Sequence, residues 1–273
     1  MGILPFFNMS YNYDYVNMVV RNRESFHVRL YYLKKSIIFA RVVITILFMK
    51  DTMKLYHGSI SVIDMPQLGK GNHKNDYGLG LYCTEHMELA KEWACSSGRD
   101  GFVNGYSLDM TDLTIYDLTQ LHILNWMAVL LENRTFDLSV GVASAARDYI
   151  LQNFFPEYKN YDVIKGYRAD DSYFSFAKDF LNNSLSIEEL AKAMKLGELG
   201  EQVVLKSEKA FSMLTFDEAV PVDSSIYHPK WMSRDQKARE DYRKMKERSN
   251  PLEGTYIIDI IRQQWRNDDE RLR

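Results

Sequence analysis

The stretch Asp76-Tyr77-Gly78-Leu79-Gly80-Leu81-Tyr82-Cys83-Thr84 decides how this chain is read. Its Gly78-Leu79-Gly80 is half of a dinucleotide-binding fingerprint, and the third glycine is absent. A short apolar run over 80–83 follows, so the context is loop to strand, where that fingerprint requires strand to helix. Thr84 then suits an N-cap, and Glu85 and Glu88 suit the first turns of a helix with Met87, Leu89, Ala90, Trp93 and Ala94 on its apolar face.

Working outward, 54–59 reads as a short strand ending in a glycine turn, and 61–75, with Pro66, Gly69 and Gly71, as a long polar loop. Residues 102–108 alternate as a strand, and 161–165 and 202–206 read as two more. Helices are expected over 121–131, 140–154 and 172–181. Another is expected over 187–196, where Ser186-Ile187-Glu188-Glu189 is a capping box. The stretch 233–248 carries seven bases and four acids and reads as a helix with a solvated face. An ordered segment over 254–265 precedes a tail, 267–273, expected to fray. Strands and helices mix without the regular alternation of a doubly wound sheet, which points to an α+β fold.

Hydrophobic residues make up 46% and charged residues 26% of the 273, so a wholly disordered chain is excluded. A net charge of −3 announces no global affinity for nucleic acid. Two cysteines, Cys83 and Cys95, cannot build a disulfide framework, and the composition suits a reducing cytoplasm. Residues 1–52 differ from the rest: seven bases against three acids give them +4, which leaves −7 for 53–273. The apolar run 36–49 invites a membrane reading. It holds Arg41 near its middle and is shorter than the roughly 20 residues a spanning helix needs. The expectation is therefore an extension ahead of a start at Met53, a domain over 53–266 and no membrane anchor.

No His-Glu-x-x-His or Walker lysine occurs, and Asp170-Asp171 reads as N-cap residues at a turn, so no metal is expected. Three short pieces remain: Leu55-Tyr56-His57-Gly58-Ser59, the stretch 76–84, and Glu201-Gln202-Val203-Val204-Leu205. Singly, each has a plain structural reading. His57 beside a turn is commonly structural, Tyr82 in an apolar strand is commonly core, and Glu201 after Gly200 commonly begins an exposed strand. Their combination and order carry the weight.

In that combination the chain resembles the histidine–tyrosine–glutamate branch of the ADP-ribosyltransferase superfamily, which includes diphtheria toxin, the poly(ADP-ribose) polymerases and, more distantly, RNA 2′-phosphotransferase. More closely it is similar to a bacterial family known only as a domain of unknown function. That likeness adds Ala169-Asp170-Asp171 and Ser207-Glu208-Lys209-Ala210 and covers about residues 53–262. It implies a split mixed β-sheet core with peripheral helices and NAD as co-substrate. It also implies catalytic roles for His57, Tyr82 and either Glu201 or Gln202, and cofactor-binding roles for Tyr56, Gly58, Ser59, Tyr77, Gly78 and Gly80.

Physical chemistry agrees with these assignments. An imidazole at a strand end reaches a ribose hydroxyl, and a glycine there admits a ligand to the backbone. Ser59 and the Gly58 backbone suit a carboxamide, and an aromatic face such as Tyr82 suits a flat cationic ring. Departure of nicotinamide leaves a cationic ribose, which a carboxylate favours over the ground state. Glu201 is the preferred carboxylate. In a register shifted by one, Gln202 takes the slot, hydrogen-bonding ribose without supplying charge and disfavouring polymer formation.

The resulting expectation is a cytoplasmic mono-ADP-ribosyltransferase. The resemblance further suggests the toxin of a toxin–antitoxin pair, with a small helical protein as antitoxin and a macromolecular acceptor that the residues do not identify. The rivals are a non-catalytic interaction module that keeps the fold, and an RNA 2′-phosphotransferase-like enzyme using Lys54, Lys70, His73 and Lys74 as phosphate ligands.

Overall fold

The computed structural model describes residues 51–138, 140–169, 171–196, 200–250 and 252–272. The segment before Asp51, with its apolar run, and Asp170 of the acidic turn lie outside the described residues.

Alternation of side chains builds the first sheet. Strand β1 (Thr52–Ser59) pairs antiparallel with β3 (Gly101–Asp109), setting His57 opposite Asn104, and β3 pairs antiparallel with β7 (Leu214–Val222). The order is β1-β3-β7. The second sheet runs β2-β6-β5-β4, from β2 (Leu81–Cys83), β6 (Glu201–Leu205), β5 (Val163–Tyr167) and β4 (Ile115–Asp117). Its β2–β6 and β6–β5 pairings are antiparallel and its β5–β4 pairing is parallel. The fold is α+β with two sheets.

Leu55, Tyr106 and Leu108 of the first sheet share a core with Leu81, Cys83, Val163, Val203 and Leu205 of the second. Helix α1 (Met87–Ala94) closes the outer face of the first sheet through Ala90 and Ala94 against Val103 and Val222. The far face of the second sheet, with Ile164 and Val204, packs on the helical layer. That layer holds α2 (Ile123–Asn133), α3 (Val142–Phe154), α4 (Asp171–Leu181), α5 (Ile187–Ala193) and, after the short α6 (Glu208–Ser212) and the long α7 (Ser224–Glu247), α8 (Ile257–Arg262). The Ser186–Glu189 capping box forms as its residue types require. Among the described residues no helix is long and apolar enough to cross a membrane.

Four expectations are corrected. Thr84 does not cap α1: His86 holds that position, and Thr84 joins a β-bridge. Strand β7 was not anticipated, because it is an edge strand with Asp217, Glu218 and Pro221 among its residues, a composition edges tolerate. Helix α7 begins nine residues before the expected position 233, since Asp223 caps it, and it continues through Pro229. Residues 267–272 do not fray. Asn267 Oδ1 accepts from buried Asn125 Nδ2 at 2.6 Å, and the Arg271 guanidinium sits 4.2 Å from the centroid of the Trp265 ring.

The polar helix α7 is fastened to α1 by a bidentate pair, beside contacts of Tyr227 and Lys230 with Glu88. Arg234 Nε and Nη2 each donate at 2.8 Å to the carboxylate of Glu92, whose side chain is only 5% exposed. Arg234→Ala strands that buried charge and is expected to cost about 3 kcal/mol. Urea unfolding of the two proteins measures it.

Candidate functional site

Among the described residues, backbone pairing joins the two sheets at a single residue pair. Tyr56 N donates to Thr84 O at 2.8 Å and Thr84 N donates to Tyr56 O at 2.9 Å. A continued antiparallel ladder would next offer Tyr82 O to the amide of Gly58. Here His57 Nδ1 donates to Tyr82 O instead, at 2.7 Å. The sheets part at this point, and a cleft of about 240 Å³ opens between them, with His57, Gly58 and Tyr82 in its wall.

The bond to a carbonyl also fixes the imidazole. A carbonyl only accepts, so Nδ1 carries the proton. Burial holds the ring's pKa below the usual 6.5, with the bond to Tyr82 O opposing that shift. A neutral ring protonated at Nδ1 leaves Nε2 as an acceptor for a hydroxyl.

Gly58 is dictated by a neighbour. A Cβ there would lie 2.1 Å from Ala90 O and 2.6 Å from Ala94 N, so only glycine lets α1 lie on β1 at this depth. The space above its Cα is occupied by helix and is not open to ligand, which corrects the sequence expectation; its backbone nonetheless lines the cleft. The same close approach brings Trp93 to the cleft wall, with the Arg168 guanidinium 4.3 Å from its ring centroid.

Tyr82 presents a ring whose hydroxyl is fully engaged. It donates to Gly78 O at 2.6 Å and accepts from Tyr77 N at 3.0 Å. Burial pushes its pKa far up, so the hydroxyl keeps its proton.

Of the two rival strand residues, Gln202 faces the cleft and Glu201 the opposite side. Gln202 is 3% exposed, and its Nε2 donates to Asp76 Oδ2 at 3.0 Å and to Tyr167 O at 3.2 Å. Glu201 bonds Lys165 Nζ at 2.9 Å in a separate depression beside Thr119 and Gln120. The preference for Glu201 in the cleft is overturned by strand alternation.

The remaining expected binders are engaged elsewhere. The Tyr77 side chain is 1% exposed in the main core, and its hydroxyl donates to Tyr167 O at 2.6 Å. Ser59 Oγ bonds Ser61 O at 2.5 Å and accepts from Asn104 Nδ2 at 3.0 Å. Gly78 supplies a left-handed turn with φ of +72°, and a Cβ at Gly80 would meet Leu205 O at 2.6 Å. Tyr56 packs with the α1 cluster. None of these five lines the cleft, nor do Lys54, Lys70, His73 or Lys74.

The residues that do complete the cleft carry charge. Arg134, just after α2, donates to Lys74 O at 3.2 Å and lies 3.5 Å from Asp76 Oδ1. Arg168 and Ala169 follow β5, and Asn75 and Asp76 end the loop before β2. Asp76, only 6% exposed, accepts at Oδ2 from Ala169 N at 2.9 Å and from Gln202. Burial raises its pKa, opposed by those donors and by Arg134 and Arg168. Two guanidinium groups thus confront one carboxylate, an arrangement that suits a phosphate-bearing ligand. The resemblance gave Asp76 no role of its own, although it stands directly before Tyr77-Gly78-Leu79-Gly80 in the stretch that carries it. For Arg134 and Arg168 no spacing signal exists.

The model of a family described as "Protein of unknown function (DUF3990)" matches residues 53–216, a span that begins in β1 and ends in β7. No curated protein and no solved structure matches the chain.

The His57 geometry has two measurable consequences. Imidazole ¹⁵N–¹³C correlation spectra should show His57 as the Nδ1–H tautomer at pH 7. Because its folded pKa is lowered, the unfolded chain protonates first as pH falls through about 6.5, so His57 withdraws stability below that pH until the folded ring protonates. His57→Gln should flatten the stability–pH curve in that window, as measured by denaturant titration at a series of pH values.

Proposed function

The chain belongs to the DUF3990 family, and from that premise and the cleft's geometry we propose that it is an NAD-dependent, mono-ADP-ribosylating transferase. The observation that carries this reading is the convergence of His57, Tyr82 and Gln202 where the two sheets part, flanked by two arginines. Each group has a part that its geometry supports. The free Nε2 of His57 suits a ribose hydroxyl, the fixed ring of Tyr82 suits the nicotinamide face, and Arg134 and Arg168 suit the pyrophosphate. The glycosidic bond breaks with its electron pair leaving on nicotinamide. The acceptor's lone pair then forms the new bond to the ribosyl carbon, and the acceptor's proton goes to solvent.

Gln202, whose amide nitrogen donates to Asp76 and to Tyr167 O, offers no carboxylate on β6 to activate an acceptor hydroxyl, which favours a limited reaction over polymer growth. The same residue supports a second reading, a module that binds NAD without cleaving it. Cys83 and Cys95, both buried and unpaired, fit the cytoplasm as the setting for either.

Incubating the full chain with adenine-labelled NAD and a cell lysate tests the proposal. The expected result is nicotinamide release with label carried onto an acceptor that nuclease or protease digestion identifies. Binding without release favours the module, and absence of NAD binding overturns both readings.

Two substitutions at one position separate platform from scaffold. Tyr82→Ala should weaken NAD binding by about 1–2 kcal/mol, up to about thirtyfold in Kd. Tyr82→Phe keeps the ring and should retain affinity, while losing about 1–2 kcal/mol of stability with its two hydroxyl bonds. Calorimetric titration and urea unfolding read the two effects.

A further inference from the structure

We propose that the negative charge of this cleft is supplied by Asp76, from the loop before β2, and that Gln202 on β6 is its positioning residue. The inference rests on the ADP-ribosyl-transfer reading and assigns within it the group that faces the cationic ribose.

Asp76 is built into the site. Its side chain is 8% exposed and lines the cleft. Oδ2 is fixed by two donors, Ala169 N and Gln202 Nε2, which set the orientation of the whole carboxylate. Oδ1 is buried and has no hydrogen-bond partner, and Arg134 Nη1 lies 3.5 Å from it. A buried carboxylate oxygen without a donor is costly. One that lies in a ligand cleft calls for a ligand hydroxyl, and a ribose hydroxyl meets that need.

The identity of residue 202 follows from the same contact. Its Nε2 lies 3.0 Å from the Asp76 carboxylate. A glutamate there would set two carboxylates against each other at hydrogen-bonding distance, and one would have to take up a proton. The amide at 202 is therefore a donor that favours the ionised form of Asp76, and not a weakened version of a strand carboxylate. Glu201 takes no part, since Lys165 holds it on the opposite side. When the bond to nicotinamide breaks and its electron pair departs with that ring, Asp76 faces the charge left on the ribosyl carbon.

Steady-state nicotinamide release by the full chain at saturating NAD tests the assignment. Asp76→Asn should lower kcat by about a hundredfold or more, with KM within about threefold. Asp76→Glu, which keeps the charge, should recover about a tenth of the wild-type rate, a rescue that a purely structural role does not give. Gln202→Glu should fall at least about tenfold below wild type, and Glu201→Gln should stay within about twofold of it. If Asp76→Asn fails to fold, as judged by thermal melting, Asp76→Glu and Gln202→Glu carry the test. An Asp76→Asn protein within about threefold of wild type overturns the assignment, as does a Gln202→Glu protein that exceeds wild type; both leave ADP-ribosyl transfer standing. A wild type that binds no NAD and releases no nicotinamide overturns the transfer reading, and this inference with it.

Discussion

Two backbone hydrogen bonds between Tyr56 and Thr84 join the sheets at one residue pair, and the rest of the site depends on their not being repeated. A further rung would draw Gly58 against Tyr82 and close the gap. The imidazole of His57 takes the carbonyl that this rung would use, so one side chain both stops the ladder and stands at the edge of the opening it leaves. Elements on each side then complete the walls. Helix α1 lies so close to β1 that only glycine fits beneath it, and β6 turns Gln202 inward. The cleft is a consequence of where pairing ends, and its residues come from segments distant in sequence.

Much of the fold was legible in local pattern. Apolar alternation located β3, and the capping box located α5 to within a few residues. What escaped has a physical explanation in each instance. Strand β4 is three residues long with no buried position, so unlike β2 it shows no apolar run to register. The edge strand β7 carries acids and a proline because one of its edges stays unpaired. The anchoring of the tail depends on Asn125 and Asn267, 142 positions apart, and no local rule links them.

The site was legible only where strands build it. His57 and Tyr82 sit where their motifs placed them, but the choice between Glu201 and Gln202 could not be made from neighbours. Val203 and Leu205 enter one core and Val204 another, so both faces of β6 are apolar and alternation leaves no mark in the sequence. Chemistry alone favoured the carboxylate at 201. Asp76, Arg134 and Arg168 lie in loops, where periodicity carries no information about direction.

The bond between Glu92 and Arg234 bears on what counts as the smallest cooperative unit of this family. Glu92 belongs to the stretch shared across the family, whereas Arg234 lies beyond its end at position 216, and that boundary also falls within strand β7. A chain cut at that boundary would keep a buried carboxylate without its counter-ion and the central strand β3 with most of its partner removed. The recognisable stretch is therefore shorter than the part that folds as one. A chain that keeps this buried carboxylate but replaces α7 must bring another cation to α1, which ties the two positions to each other.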